Sequence, residues 1–116
     1  MQYAILIYEA PEDFAKRESA EAPGYFAGWM AYSEAMKAHT RGGAPLLGAA
    51  TATTMRVRDG KRLVQDGPYA DSREQLGGFF LIDVADLDAA LEWAARCPAS
   101  QNGVIEVRPL MPMPGL

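Results

Sequence analysis

The sequence predicts an α+β fold, and three observations carry that prediction. Two short apolar runs, residues 3–8 (YAILIY) and 78–84 (GFFLIDV), have the length and composition of strands. Two stretches, one after Pro23 and one after Asp86, carry apolar residues at helical spacing. Between them an Asp59-Gly60 pair separates two β-type runs, the mark of a two-residue hairpin. Taken in order this reads β-α-β-(hairpin)-β-α-β, a ferredoxin-like β-α-β-β-α-β core with an inserted β-hairpin.

The first strand, YAILIY, is rich in strand formers and ends at Glu9, Ala10 and Pro11. Residues 11–23 are charged and read as a loop with a helical turn. From Pro23 the period changes: Tyr25, Trp29, Tyr32 and Met36 form a stripe, and Phe26 and Met30 widen it. Glu34, Lys37 and Arg41 fall outside that stripe, His39 and Arg41 sit where cations complement the helix dipole, and Gly42-Gly43 is the stop signal. Residues 45–49 are the next strand candidate. The hairpin follows as TTMRVR-DG-KRLVQD, with Met55 and Val57 alternating with Thr54, Arg56 and Arg58, so that one face of the ribbon is wet. GFFLIDV is a strand apolar on both faces. Asp86 is placed to cap the second helix, whose stripe is Leu87, Ala90, Leu91, Ala94 and Ala95 and which Cys97-Pro98 ends. The last strand is residues 104–110, VIEVRPL.

Whole-chain properties bound the function. At 116 residues and 12.6 kDa the chain is expected to form one domain, 1–116. Its hydrophobic content of 49% suits a packed core. A net charge of −4 and a pI near 4.9 argue against a nucleic-acid partner, and the cluster Arg56, Arg58, Lys61, Arg62 reads as solvation of a hairpin. The single cysteine, Cys97, forbids an intrachain disulfide and reads as a small buried apolar residue. The apolar run near the N-terminus is too short for a leader or a membrane span, so the expectation is a soluble cytoplasmic protein with no membrane partner.

Burial adds a prediction about assembly. Both runs offer apolar side chains to both sheet faces, yet two helices cover only one. The other face is expected to meet a second copy of the chain, making a homodimer with its sheets packed face to face.

The stretch Asp66-Gly67-Pro68-Tyr69, then Ser72-Arg73-Glu74-Gln75-Leu76-Gly77-Gly78, and the closing Glu106-Val107-Arg108-Pro109 resemble the DGPF-domain family. That group belongs to the wider YCII-related superfamily of dimeric α/β-barrel proteins, and the resemblance runs through nearly the whole chain. Tyr69 stands where the family name has Phe, and Arg73 where Lys is common. The resemblance implies the ferredoxin-like fold and the dimer, without one established activity. The superfamily includes proteins with a His-Asp pair proposed for acid-base chemistry, and a dehydrochlorinase acting on a chlorinated hydroquinone. In those relatives the His lies early in the first helix and the Asp just after the second. Here the first region reads Tyr25, Phe26, Ala27, Gly28, Trp29 and the second Arg96, Cys97, Pro98, so the pair does not carry over.

Candidate site residues each have a structural and a functional reading. Asp66 closes a turn through its own backbone, or serves as a base or ligand anchor at a strand end. Arg73 and Glu74 are a solvated pair, or Arg73 clamps an anion while Gly77 and Gly78 let backbone approach a ligand beside Tyr69 and Glu74. Glu106 and Arg108 share one face of the last strand, as a salt bridge or as a pocket pair. His39 is a surface or capping residue, or a weak third catalytic candidate because imidazole titrates near neutral pH. Tyr25, Trp29 and Tyr32 read as core. One His and one Cys far apart offer no metal set, and no glycine-rich loop opens a helix, so neither metal nor nucleotide cofactor is expected. The leading expectation is a small-molecule-binding homodimer with metal-free acid-base activity. The competing one is a non-enzymatic regulatory or interaction dimer linked to transcription control, since relatives often sit beside sigma factors.

Overall fold

The computed structural model describes residues 1–114. Four antiparallel strands form the central sheet in the order β2-β5-β1-β6. They are β1 (Gln2–Glu9), β2 (Thr40–Pro45), β5 (Gln75–Asp83) and β6 (Val104–Pro109). A separate ribbon pairs β3 (Thr53–Arg58) with β4 (Lys61–Asp66). The helices are a single turn α1 (Pro11–Phe14), α2 (Ala22–Ala35) and α3 (Leu87–Arg96). This is the ferredoxin-like α+β arrangement that the order of patterns predicts, with the hairpin inserted between β2 and β5.

The period-2 pattern of β1 sorts its side chains. Tyr3, Ile5 and Ile7 are buried, in register with Ile82, Phe80 and Gly78 of β5 and with Pro109, Val107 and Ile105 of β6. On that face Tyr32 and Met36 from α2, Ala90 from α3, and Cys97 and Ala99 just beyond α3 complete one core, with Trp29 and Trp93 packed against it. The opposite face carries Ala4, Leu6 and Tyr8 beside Phe79, Leu81 and Val104, and the charged Glu106 and Arg108 toward the β6 edge. Asp86 caps α3 as expected, its side chain accepting from the Ala89 amide at 2.9 Å. Asp59 (φ 52°) and Gly60 (φ 74°) give the left-handed pair that a type I′ turn requires.

Three sequence expectations need correction. First, the helix does not run to Arg41. α2 ends at Ala35, because the Met36 carbonyl takes up the His39 and Thr40 amides and the Thr40 hydroxyl in a tight turn. His39 therefore lies between helix and strand. Second, Gly42 and Gly43 do not stop the helix and residues 45–49 are not the next strand. β2 is TRGGAP, a segment of poor strand propensity held by pairing with β5, so tertiary context overrides local preference. Third, Phe26 and Met30 do not widen the buried stripe: both side chains are exposed. The hairpin is also wetter than expected, since every residue of β3 and β4 except Thr54 is exposed.

Candidate functional site

β2 contributes almost no side-chain bulk toward α2. Gly43 pairs with Phe80 and Pro45 with Gly78, and Gly77 follows at an irregularity in β5, where the register to β1 slips between Ile7 and Tyr8. Four glycines, Gly42, Gly43, Gly77 and Gly78, thus border a cavity of about 420 Å³ between α2 and the β2–β5 edge. Its walls are chiefly apolar, including Ile7, Phe26, Trp29 and Phe80. Gly43 is required for this geometry: its φ is +138°, and a Cβ there would run into the Phe79 carbonyl.

One end of the cavity is polar. Glu9 continues the inward phase of Tyr3, Ile5 and Ile7, and it is only 5% exposed. The Tyr25 hydroxyl, from the first turn of α2, donates to Glu9 Oε1 at 2.7 Å. Arg17, from the turn after α1, donates through Nε to the Tyr25 hydroxyl at 3.4 Å and brings Nη2 to 4.0 Å from Glu9 Oε1. Its terminal nitrogens also reach main chain: Nη1 binds the Leu46 carbonyl at 2.6 Å and Nη2 the Gly77 carbonyl at 3.1 Å. The Phe14 ring lies under the guanidinium at 3.9 Å. A buried carboxylate needs such a partner, because an uncompensated charge at that depth is costly. Burial pushes the Tyr25 phenol above its ordinary value; the hydrogen bond from Arg17 opposes this and the bond to Glu9 adds to it. Tyr25 is therefore held protonated, as a donor. Glu9, Tyr25 and Trp29 also border a second, smaller cavity of about 150 Å³ that reaches Lys16 and Asn102.

Of the residues singled out in the sequence, Gly77 and Gly78 line the main cavity, whereas Asp66, Tyr69, Arg73, Glu74, His39, Glu106 and Arg108 do not. Asp66 ends β4 opposite Thr53, exposed, and Gly67 (φ +100°) turns the chain away. Tyr69 is 77% exposed, beneath the Arg56 guanidinium at 5.3 Å. Arg73 pairs with Glu12 and, at 3.5 Å, with Glu74. Glu106 and Arg108 bridge one another at 3.5 Å, and the Tyr8 hydroxyl reaches Glu106 at 3.4 Å. The half-buried His39 ring lies 5.6 Å from that of Trp93. The loop before β5 is held by its own polar groups, with Gln75 donating to the carbonyls of Ala70 and Ser72.

The polar end of the cavity is built from residues that the sequence reading passed over. Arg17 lay in a segment read as loop, and Tyr25 was assigned to core. Glu9 had a signal: it falls two residues past Ile7, on the buried phase of an apolar strand.

Comparison with known proteins places this geometry. The model of the YCII-related domain matches residues 1–114. The chain belongs to the YCII-related family. Within reach of this YCII-related chain, an uncharacterized protein of Rhizobium meliloti (strain 1021) is 45% identical over 69 residues. That alignment covers 58% of this chain and 56% of the relative, so the chain spans about half the length of the curated relative it matches. Among solved structures, the 5-chloro-2-hydroxyhydroquinone dehydrochlorinase from Burkholderia phenoliruptrix AC1100, in complex with 2,5-dihydroxybenzoquinone, superposes with a TM-score of 0.59. The superposition covers 96% of this chain and 94% of that one at 19% identity, a likeness of fold. No helix of the described residues is long and apolar enough to cross a membrane.

Proposed function

We propose that this YCII-related chain binds a small aromatic molecule bearing a hydroxyl in the cavity between α2 and the β2–β5 edge, with Glu9 as its hydrogen-bond acceptor. The observation that carries this reading is the Glu9 carboxylate, 5% exposed and held by Tyr25 at 2.7 Å, at the end of an otherwise apolar cavity of about 420 Å³. A cavity of this kind, apolar with few convergent polar groups, has the usual make-up of a small-molecule site. Arg17 already bonds the Tyr25 hydroxyl and two carbonyls and lies 4.0 Å from Glu9, so its charge is engaged within the protein and Glu9 is the acceptor turned to the cavity. That favours a hydrogen-bond donor over an anion. A flat ring suits the glycine-bordered wall, and the solved structure of similar fold contains an oxygenated six-membered ring compound, which supports the class. In this reading the ligand hydroxyl donates a hydrogen bond to the Glu9 carboxylate while Tyr25 keeps its own bond to Oε1.

The same reading includes a homodimer. A second copy over the face that carries Leu6, Phe79 and Leu81 would cover apolar surface which the helices leave open.

Isothermal titration with phenol, hydroquinone and benzoate tests the site. Phenol and hydroquinone are expected to bind better than benzoate. Glu9→Gln should weaken binding about 10- to 100-fold, the loss of a hydrogen bond to a charged group. Equal binding by wild type and Glu9→Gln would refute the assignment. Light scattering at micromolar concentration tests the dimer, which a monomer mass would exclude.

A further inference from the structure

The described chain is less compact than its size allows. Its radius of gyration is 16.0 Å, where about 13 Å is usual for this length. Its accessible surface is 8020 Å², against about 6,200 Å² for a monomer of 12.6 kDa. The hairpin β3–β4 is one source of this excess. It stands apart from the central sheet, tied at its base where the Gly67 amide donates to the Ala52 carbonyl at 2.7 Å and the Thr54 hydroxyl to the Gly67 carbonyl at 2.8 Å. A two-stranded ribbon alone is marginal in water. Register places Met55, Val57 and Val64 on one face of it, and they are 53%, 53% and 62% exposed. An apolar stripe on an unsupported ribbon calls for a surface to lie against.

The exposed flank of α2 that carries Phe26 and Met30 is the matching surface. Phe26 and Met30, one turn apart, are 44% and 72% exposed. A helix that is apolar on an exposed flank as well as on its inner side is normally covered. Charge points the same way. The hairpin carries Arg56, Arg58, Lys61 and Arg62 against Asp59 and Asp66, so it is net positive, while the chain as a whole is −4. Two hairpins would repel one another. The start of α2 is acidic, with Glu18 and Glu21 just before it, and Glu34 lies near its end, all exposed.

We propose that the β3–β4 hairpin is an arm that packs on this flank of α2 of a second copy of this chain, reciprocally in a two-fold dimer. Met55, Val57 and Val64 cover Phe26 and Met30, and Arg62, which register places beside Val57 on the same face of the ribbon, faces Glu34. Because Phe26 also lines the main cavity, the partner's arm closes one flank of that cavity. The contact is separate from the sheet face and does not depend on what the cavity binds.

The test uses the full chain. Protein bearing Val57→Cys is mixed under mild oxidation with differently tagged protein bearing Met30→Cys; the native Cys97 is 2% exposed. A mixed disulfide dimer is expected from this pair, and none from Val57→Cys mixed with a control Asp88→Cys on α3. In sedimentation, Arg62→Glu should raise the dimer dissociation constant at least tenfold, and Glu34→Lys in the same chain should restore it. These charge changes are on exposed positions, so folding is kept, and circular dichroism verifies it. A dimer of unchanged strength in the charge variant, or no mixed disulfide, overturns the arm and leaves a sheet-face dimer standing. A wild-type chain that is monomeric overturns both.

Discussion

The Tyr32 hydroxyl donates to the main-chain carbonyl of Trp93 across 2.8 Å, joining α2 to the last turn of α3. Carbonyls in a final helical turn have no partner within the helix. The Cys97 amide, which could have served, bonds Ala94 instead. Tyr32→Phe keeps the ring contacts with Trp29, Phe80 and Trp93 but leaves that carbonyl unpaired. A loss of about 1–2 kcal/mol is expected in urea unfolding. A change below about 0.3 kcal/mol would mean the bond contributes nothing net.

Alkaline pH should unfold the chain early. Burial pushes the Cys97 thiol up to about 11 from 9.0, and pushes the phenols of Tyr25 and Tyr32 above 10.0. Each group is raised in the folded state, so the unfolded chain releases these protons first. Their stabilisation is complete at neutral pH and is lost as pH rises from about 9 through the folded values. Thermal melts from pH 7 to pH 11 should show a steady fall above pH 9, smaller in Tyr32→Phe. At pH 8 the native thiol should resist a disulfide reagent that modifies it readily in denaturant.

Gly43 and Gly60 both have positive φ, but their surroundings differ. A Cβ on Gly60 meets nothing within 4 Å, whereas one on Gly43 would run into the Phe79 carbonyl and lie 3.0 Å from the Phe80 Cα. Gly60→Ala should cost about 1–2 kcal/mol from backbone conformation alone. Gly43→Ala adds a clash with sheet backbone and should cost about 3 kcal/mol in total. Equal melting temperatures for the two variants would contradict the close approach of β2 to β5.

Two arginines provide a contrast. Arg73 is exposed and paired with exposed Glu12, so Arg73→Ala should leave the melting temperature unchanged. Arg17 stacks on Phe14, satisfies two carbonyls and faces a buried carboxylate. Arg17→Met should cost about 3–4 kcal/mol, and Glu9→Gln in the same chain should recover part of it by removing the orphaned charge.

The fold was legible wherever one physical signal dominated. The apolar run YAILIY, the Asp59-Gly60 turn and the Asp86 cap each have a local cause, and each appears in the structure. β2 was not legible, because TRGGAP has neither strand propensity nor alternation and is held only by its partner β5. The α2 end was misread for a related reason: Gly42-Gly43 looks like a stop, yet the turn at Met36 depends on the Thr40 side chain. The polar end of the cavity was partly hidden, since Glu9, Arg17 and Tyr25 come from three elements and no motif spacing links them. The clustered charges around Asp66 and Arg73 drew attention because they are neighbours in sequence. Proximity in the chain proved a poor guide to proximity across the sheet.

The Gly77 carbonyl accepts both the Leu46 amide at 2.9 Å and Arg17 Nη2 at 3.1 Å. This fastens the chain leaving β2 to β5 near the start of that strand, so the excursion from Leu47 to Glu74 begins and ends close together, at a neck. The segment beyond the neck is in consequence a cassette. Changes of length within it act beyond the neck, so the strands on either side keep their alignment. A short turn spliced from Leu46 to Gln75 would keep every paired residue of the four-stranded sheet.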